Sequence, residues 1–313
     1  MKTAKAYSPA GISSFFEICD TLPDGTPIKD VEKVGARGGG FGIRKGVKTE
    51  VAVSSAEKTC IDVYINGRLA PEAETTRTVV EKLLKMVGGD FHVEVKHWIE
   101  VPIGAGFGTS AGGALTAALA LSRALGLKLT LNQIGKIAHK AEIQCKTGLG
   151  TVAPLTTGGG CVITIEPGAP GTAVIDRIPI TDDYIVVVGT FGPIPTMEVL
   201  SSPEKRSAVN RWGRLTLEKI LAEPSLENFL ACCREFAEKT GFATPRVRRL
   251  FKAADEAGAL GAAQNMVGEA VHALTTLENA EKVAQAFKQI LPEDSVLVSN
   301  VELYGARLLN NVG

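Results

Sequence analysis

The sequence predicts a mixed α+β chain in two lobes. Three observations point there: apolar patterns of period two and period 3.6 alternate through the first half, a turn-rich break, "EPGAPGTA", falls at 166–173, and one apolar strand then leads into mostly helical sequence. The expected division is therefore 1–168 and 169–313. With 313 residues, 45% of them hydrophobic, the chain can bury a substantial core.

Taken in order, Val47, Thr49, Val51 and Val53, then Ile61, Val63 and Ile65, alternate on either side of "SSAEK", which predicts a β-hairpin over 47–65. The spacing of Val79, Val80, Leu83, Leu84 and Val87 is helical, and "FHVEVKHWIEVP" returns to period two until Pro102 stops it. A glycine-rich loop and a helix complete the stretch 91–124. A second helix covers about 130–145, opened by a cap at Thr130 or Asn132, and "TGLGT", "TTGGG" and the strand "CVITIEP" follow. The second lobe opens on the strand "YIVVVGTF", runs helix-rich from about 197 to 288, and closes with "SVLVSNVELYGARLL", a strand followed by a turn or a second strand.

Charge excludes several functions. Lys plus Arg and Asp plus Glu both number 34, so no basic field draws in nucleic acid or anionic lipid. The longest apolar run, around Ala114 to Leu121, is far shorter than the ~20 residues that cross a bilayer, and "MKTAKAYSPAG" has no signal-peptide apolar segment, so the expected location is the cytoplasm. Six cysteines without a C-x-x-C pair read as reduced and mostly buried.

Glycine accounts for 34 residues and concentrates in four segments read as loops, at 35–42, 104–108, 148–150 and 158–160. The second is the most informative. It follows a strand, alternates Gly104, Gly106 and Gly108, brings the Thr109 and Ser110 hydroxyls to the first turn of a helix, and has no carboxylate between Glu100 and Glu142. Free N–H groups and the positive end of a helix dipole suit a di- or triphosphate, so 1–168 is the expected nucleotide-binding lobe. A Walker-type loop is excluded because no lysine lies between Lys96 and Lys128, and the dinucleotide fingerprint does not fall in register. Glu142 falls within the apolar stripe Ile134, Ala138, Ala141, Cys145. An inward carboxylate costs several kcal/mol unless paired or bound to metal, and Mg²⁺ beside a nucleotide would satisfy it.

"VPIGAGFGTSAG" resembles the P-x-x-x-G-L-G-S-S-A signature of the GHMP kinases: Pro102, Gly106, Gly108, Ser110 and Ala111 fall on its positions, with Phe107 for Leu and Thr109 for Ser. "AYSPAGISSFFEI", "GARGGGFGIRKGVKTEV", "AHKAEIQCKTGLGTV" and "FGPIPTMEVLSS" extend the resemblance over nearly the whole chain, to the archaeal pantoate kinase family. The resemblance implies ATP- and Mg²⁺-dependent phosphorylation of the primary hydroxyl of (R)-pantoate to 4-phosphopantoate, on the archaeal route to coenzyme A. It implies a ribosomal protein S5 domain 2-like N-terminal lobe, a ferredoxin-like C-terminal lobe, and Ser110 and Glu142 as Mg²⁺ ligands.

Two positions depart from the pattern. Thr151 stands where superfamily members with a catalytic Asp carry it, and Gly11 where a Lys or His is expected. The acceptor anion asks for a cation, for which Arg37 is the first candidate. Ser13, Ser14 and Thr196 are further candidate contacts, and Gly261 is assigned to a third glycine-rich motif in "GALGAAQNMVGEAV". A kinase of another small hydroxy acid or isoprenoid precursor, and an inactive nucleotide-binding homologue, stay open as alternatives. The sequence does not give the oligomeric state; a homodimer is one arrangement open to it.

Overall fold

A computed structural model describes residues 1–193 and 202–310. Its first sheet is built on two long strands, β1 (Lys2–Cys19) and β2 (Gly35–Ser55), paired antiparallel almost end to end. Around them lie β3 (Cys60–Ile65), β4 (Arg68–Leu69), β5 (Phe91–Ile99), β6 (Cys161–Glu166), β7 (Val174–Ile178) and β12 (Arg307–Leu309). The strand order is β12-β1-β2-β5-β3-β4, and β6 with β7 attaches to the first part of β2.

Both runs of the expected hairpin at 47–65 form strands, yet they do not pair with each other. β5 inserts between them, so that Val95 faces Val51 antiparallel on one side and Val63 parallel on the other. The helix α1 (Glu74–Val87) is the crossover that a parallel pair requires. β5 takes the interior position because Val93 and Val95 lose all solvent contact there.

One face of this sheet is covered by α1 and α2 (Thr109–Leu125), with α2 lying on β1 and β2, and α3 (Leu131–Cys145) packs on those two helices. α2 is built from Ala, Gly and Leu and is buried almost all round, which lets it approach the strands closely. Thr130 starts α3 through a reciprocal box: its hydroxyl accepts from Gln133 N, and Gln133 Oε1 accepts from Thr130 N. Such a cap is worth ~1 kcal/mol.

The second sheet holds β8 (Ile185–Pro193), β9 (Gly261–Gln264), β10 (Gly268–Thr275) and β11 (Val296–Asn300) in the antiparallel order β11-β8-β10-β9. Numbered within the lobe, that order is 4-1-3-2, the ferredoxin-like βαββαβ arrangement the resemblance implies. The short α4 (Val152–Thr157) belongs to the first lobe; α5 (Pro203–Ala222), α6 (Leu226–Lys239), α7 (Pro245–Glu256) and α8 (Leu277–Lys288) belong to the second. The helix-rich run expected to 288 is thus interrupted by β9 and β10. Their alanines Ala262, Ala263, Ala270 and Ala273 are buried, and small residues buried on both faces carry no period-two signal.

The turn at 166–173 closes the β6–β7 hairpin, where Cys161 pairs with Ile178, and the boundary expected at 168 falls inside it. The chain crosses to the second sheet between Ile178 and Ile185 and returns at the end, with Arg307 opposite Tyr7. The two cores share the long strands. Ala4 and Ala6 of β1 lie in one core, while Ala10, Ile12, Phe15 and Ile18 join the other, where Phe15 meets Phe229 edge-on at 6.1 Å.

Two compositional readings are corrected here. "GARGGGFG" is the beginning of β2, not a loop: a Cβ on Gly40 would stand 1.7 Å from Ile12 O, so bare backbone is what lets the strands close. All six cysteines are free, but only Cys161, Cys232 and Cys233 are buried, and Cys60 is exposed. No helix among the described residues is long and apolar enough to cross a membrane.

Candidate active site

The strand β5 ends at Ile99, and the chain then turns through Gly104–Gly108 into α2. Gly108 is the N-cap, with φ +61°, and no side chain caps the helix. Ala105 and Phe107 are buried and anchor the loop, and Phe107 O accepts a 3.0 Å bond from Gly11 N. The N–H groups of Gly104 to Gly108 find no acceptor among the described residues. With no acid in the first turn of α2, this end of the helix is a positive hollow open to an anion.

Glu142 reaches the same place from α3. Its residue is 3% exposed, and Oε1 accepts two hydrogen bonds, from Ser110 Oγ at 2.5 Å and Thr147 Oγ1 at 2.6 Å. Burial pushes its pKa up, while the Ser110 and Thr147 hydroxyls pull it back down. Oε2 receives no hydrogen bond among the described residues and lies over Gly148, where a Cβ would stand only 2.2 Å away. A carboxylate and hydroxyls, all hard oxygen donors, are the set that Mg²⁺ takes beside a phosphate. Thr147 was not singled out from the sequence. The available signal was its place just after the Lys146 C-cap of α3, five residues after Glu142 and directly before a glycine.

The two departing positions also meet. A Cβ on Gly11 would lie 3.2 Å from Thr151 Cγ2, and one on Gly108 would lie 2.6 Å from the same methyl. Gly11, Gly108 and Thr151 therefore pack together beside the loop, with Thr151 at the start of α4 and making no side-chain capping bond.

Comparison with known proteins accords with this geometry. Residues 74–159 match the family described as GHMP kinases N terminal domain. The pantoate kinase of Thermococcus kodakarensis is 35% identical over 97% of this chain and 96% of its own length. The chain belongs to the pantoate kinase family of GHMP kinases. A further family member, from Methanocaldococcus jannaschii, is 28% identical over 90% of this chain and 96% of its own. A solved phosphotransferase related to the coenzyme A biosynthesis pathway superposes with TM-score 0.85 at 32% identity, covering 99% of this chain and all of that one.

Among the residues expected at the site, the structure brings Gly104, Gly106, Gly108, Thr109, Ser110 and Glu142 together. Pro102 and Phe107 also line a cavity of about 300 Å³ with Thr190 and Ser295. None of Ser110, Glu142, Thr147 or Thr151 faces that cavity, so it lies apart from the Glu142 cluster.

The expected acceptor contacts fare differently. Arg37 is already paired: Nε donates to Ile165 O at 3.0 Å, and the terminal nitrogens to Glu17 and Glu166, both at 3.3 Å. It sits opposite Glu17 in the β1–β2 register, six residues from Gly11, roughly 20 Å at ~3.4 Å per residue. Arg37 is thus a paired cation remote from Gly11 and Thr151 rather than beside them. Ser14 is fully buried and bonded to His272, so it faces the interior, while Ser13 is half-buried and its carbonyl accepts from Met266 N. Gly261 starts β9 and packs against Leu230 of α6; the glycine that reaches the loop at 104–108 is Gly268, whose Cβ would lie 3.1 Å from Ala105. Thr196 lies outside the described residues.

Proposed function

We propose that this protein transfers the γ-phosphoryl group of ATP to the primary hydroxyl of (R)-pantoate, giving 4-phosphopantoate on the archaeal route to coenzyme A, in the cytoplasm. The observation that carries the reading is the buried Glu142, aimed at Ser110 on the uncapped first turn of α2. In this reading the N–H groups of Gly104 to Gly108 hold the nucleotide phosphates, and Ser110 and Glu142 hold Mg²⁺, which offsets phosphate charge. Thr147 holds the Glu142 carboxylate in place, and Gly11, Gly108 and Thr151 flank the acceptor hydroxyl. No side-chain carboxylate stands at the Thr151 position to take the hydroxyl proton. Acceleration therefore rests on alignment and charge neutralisation, which supply most of the rate enhancement in phosphoryl transfer.

ADP release, coupled to a spectroscopic assay with pantoate, mevalonate, phosphomevalonate and homoserine in turn, tests the substrate. Pantoate should be turned over best, and no turnover of pantoate above background defeats the proposal. Gly11 and Thr151 favour one second reading, a kinase of the same build acting on another small hydroxy acid, which the same panel reveals. Phosphorus NMR with ATP, Mg²⁺ and pantoate separates transfer from nucleotide binding without product.

A further inference from the structure

Behind the phosphate loop, three polar side chains from distant parts of the chain form a single buried file. Ser14 Oγ on β1 lies 3.0 Å from His272 Nε2 on β10, His272 Nδ1 lies 2.9 Å from Asn265 Oδ1, and Asn265 Nδ2 donates to Ala105 O at 3.4 Å. All three residues are 0% exposed. Burial pushes the His272 pKa down to about 3, so the imidazole is neutral and has one donor and one acceptor nitrogen. Asn265 Oδ1 can only accept, which places the proton on Nδ1 and leaves Nε2 to accept from Ser14. Every hydrogen bond in the file then runs the same way, from Ser14 through His272 and Asn265 to the Ala105 carbonyl.

The backbone around Asn265 is fixed as well. Asn265 N donates to Ala270 O, Met266 N donates to Ser13 O at 2.7 Å, and Asn265 Cβ lies 2.9 Å from where a Gly106 Cβ would be. The second lobe thus clamps the loop of the first. Ala105 O and Gly106 N–H belong to one planar trans peptide and point to opposite sides of it. Holding the carbonyl inward on Asn265 therefore turns the Gly106 N–H outward, and that group has no acceptor among the described residues.

We propose that Ser14, His272 and Asn265 are positioning residues that aim the Gly106 N–H at the nucleotide phosphate, linking the second lobe to the affinity of the loop for ATP. The proposal rests on the phosphate-cradle reading above and is independent of which acceptor is phosphorylated.

The test measures binding without turnover, by calorimetric titration of the full chain with Mg²⁺ and a non-hydrolysable ATP analogue, and with adenosine as the phosphate-free control. Asn265→Ala should weaken the analogue about tenfold and leave adenosine unchanged, with KM for ATP rising and KM for the acceptor constant. His272→Gln, whose amide keeps one donor and one acceptor, should hold affinity near wild type, whereas His272→Leu should lose it. Ser14→Ala, at the far end of the file, should cost about threefold. A folded Asn265→Ala that binds the analogue like wild type overturns the proposal, and so does an equal loss for adenosine. If Asn265→Ala does not fold, Ser14→Ala decides, and unchanged analogue affinity there overturns it. A wild type that binds adenosine but gains nothing from the phosphates sinks the cradle reading itself, and the proposal with it.

Discussion

The proposed nucleotide wall, Gly104 to Ala111 with Glu142 and Thr147, presents main-chain N–H groups and a carboxylate under two hydroxyl donors. The adjoining wall, Gly11 and Thr151, proposed to flank the acceptor, presents bare backbone and a methyl group. The first wall works through conformation: any chain that turns through these glycines into an uncapped helix offers the same hollow. The second works through side-chain identity, which a single substitution changes without disturbing the fold. The phosphate-binding half of a kinase can therefore persist while its acceptor half is rebuilt.

The largest expected effect breaks the nucleotide wall. Glu142→Gln and Ser110→Ala should each lower kcat at least tenfold, ~1.4 kcal/mol or more of barrier, with an unchanged circular dichroism spectrum. Wild-type turnover in Glu142→Gln would refute the metal assignment. Next, Thr147→Val should weaken half-saturation by Mg²⁺ about tenfold while kcat at saturating Mg²⁺ stays near wild type, because it removes only the group that orients Glu142. Loss of kcat at every Mg²⁺ concentration would move Thr147 from positioning to the chemistry.

The acceptor wall is probed by Thr151→Asp, for which we expect less than ~threefold change in kcat, since positioning carries most of the barrier reduction. A tenfold gain would instead show that a base had been lost and could be put back.

The smallest effect concerns pH. Two fully or nearly fully buried histidines lie behind the nucleotide wall: His272 in the file to Ala105, and His97, bonded to Thr49 and Thr76 and packed under Gly113 of α2. Burial lowers their pKa values to about 3 and about 4, respectively. Folded-state values below the unfolded value of ~6.5 mean that their contribution to stability is fully present above ~6.5 and is lost as pH falls toward 4 and then 3. In urea unfolding, His97→Gln should show a shallower decline of its midpoint over that window than wild type. Identical slopes would count against a neutral His97.

What the sequence determined by itself was local. The helical stripes of α1 and α3, the Thr130 cap, the glycine loop at the head of α2 and the inward Glu142 are all written in neighbours three or four residues apart, or in one unbroken turn. Only the tertiary structure decided the rest. Period two says that residues 47–55 and 60–65 are strands but not that β5 will come between them. A glycine-rich segment promises close approach, and whether as a loop or as β2 depends on β1 and β6. Arg37 has the right chemistry for an anion, but Glu17 and Glu166 neutralise it first. Ser14, Asn265 and His272 are separated by as many as 258 positions and meet only because the second lobe closes against the first. Strand pairing and charge neutralisation are contests among all partners brought near in space, and the distances that settle them are set by the packed fold rather than by any short stretch of chain.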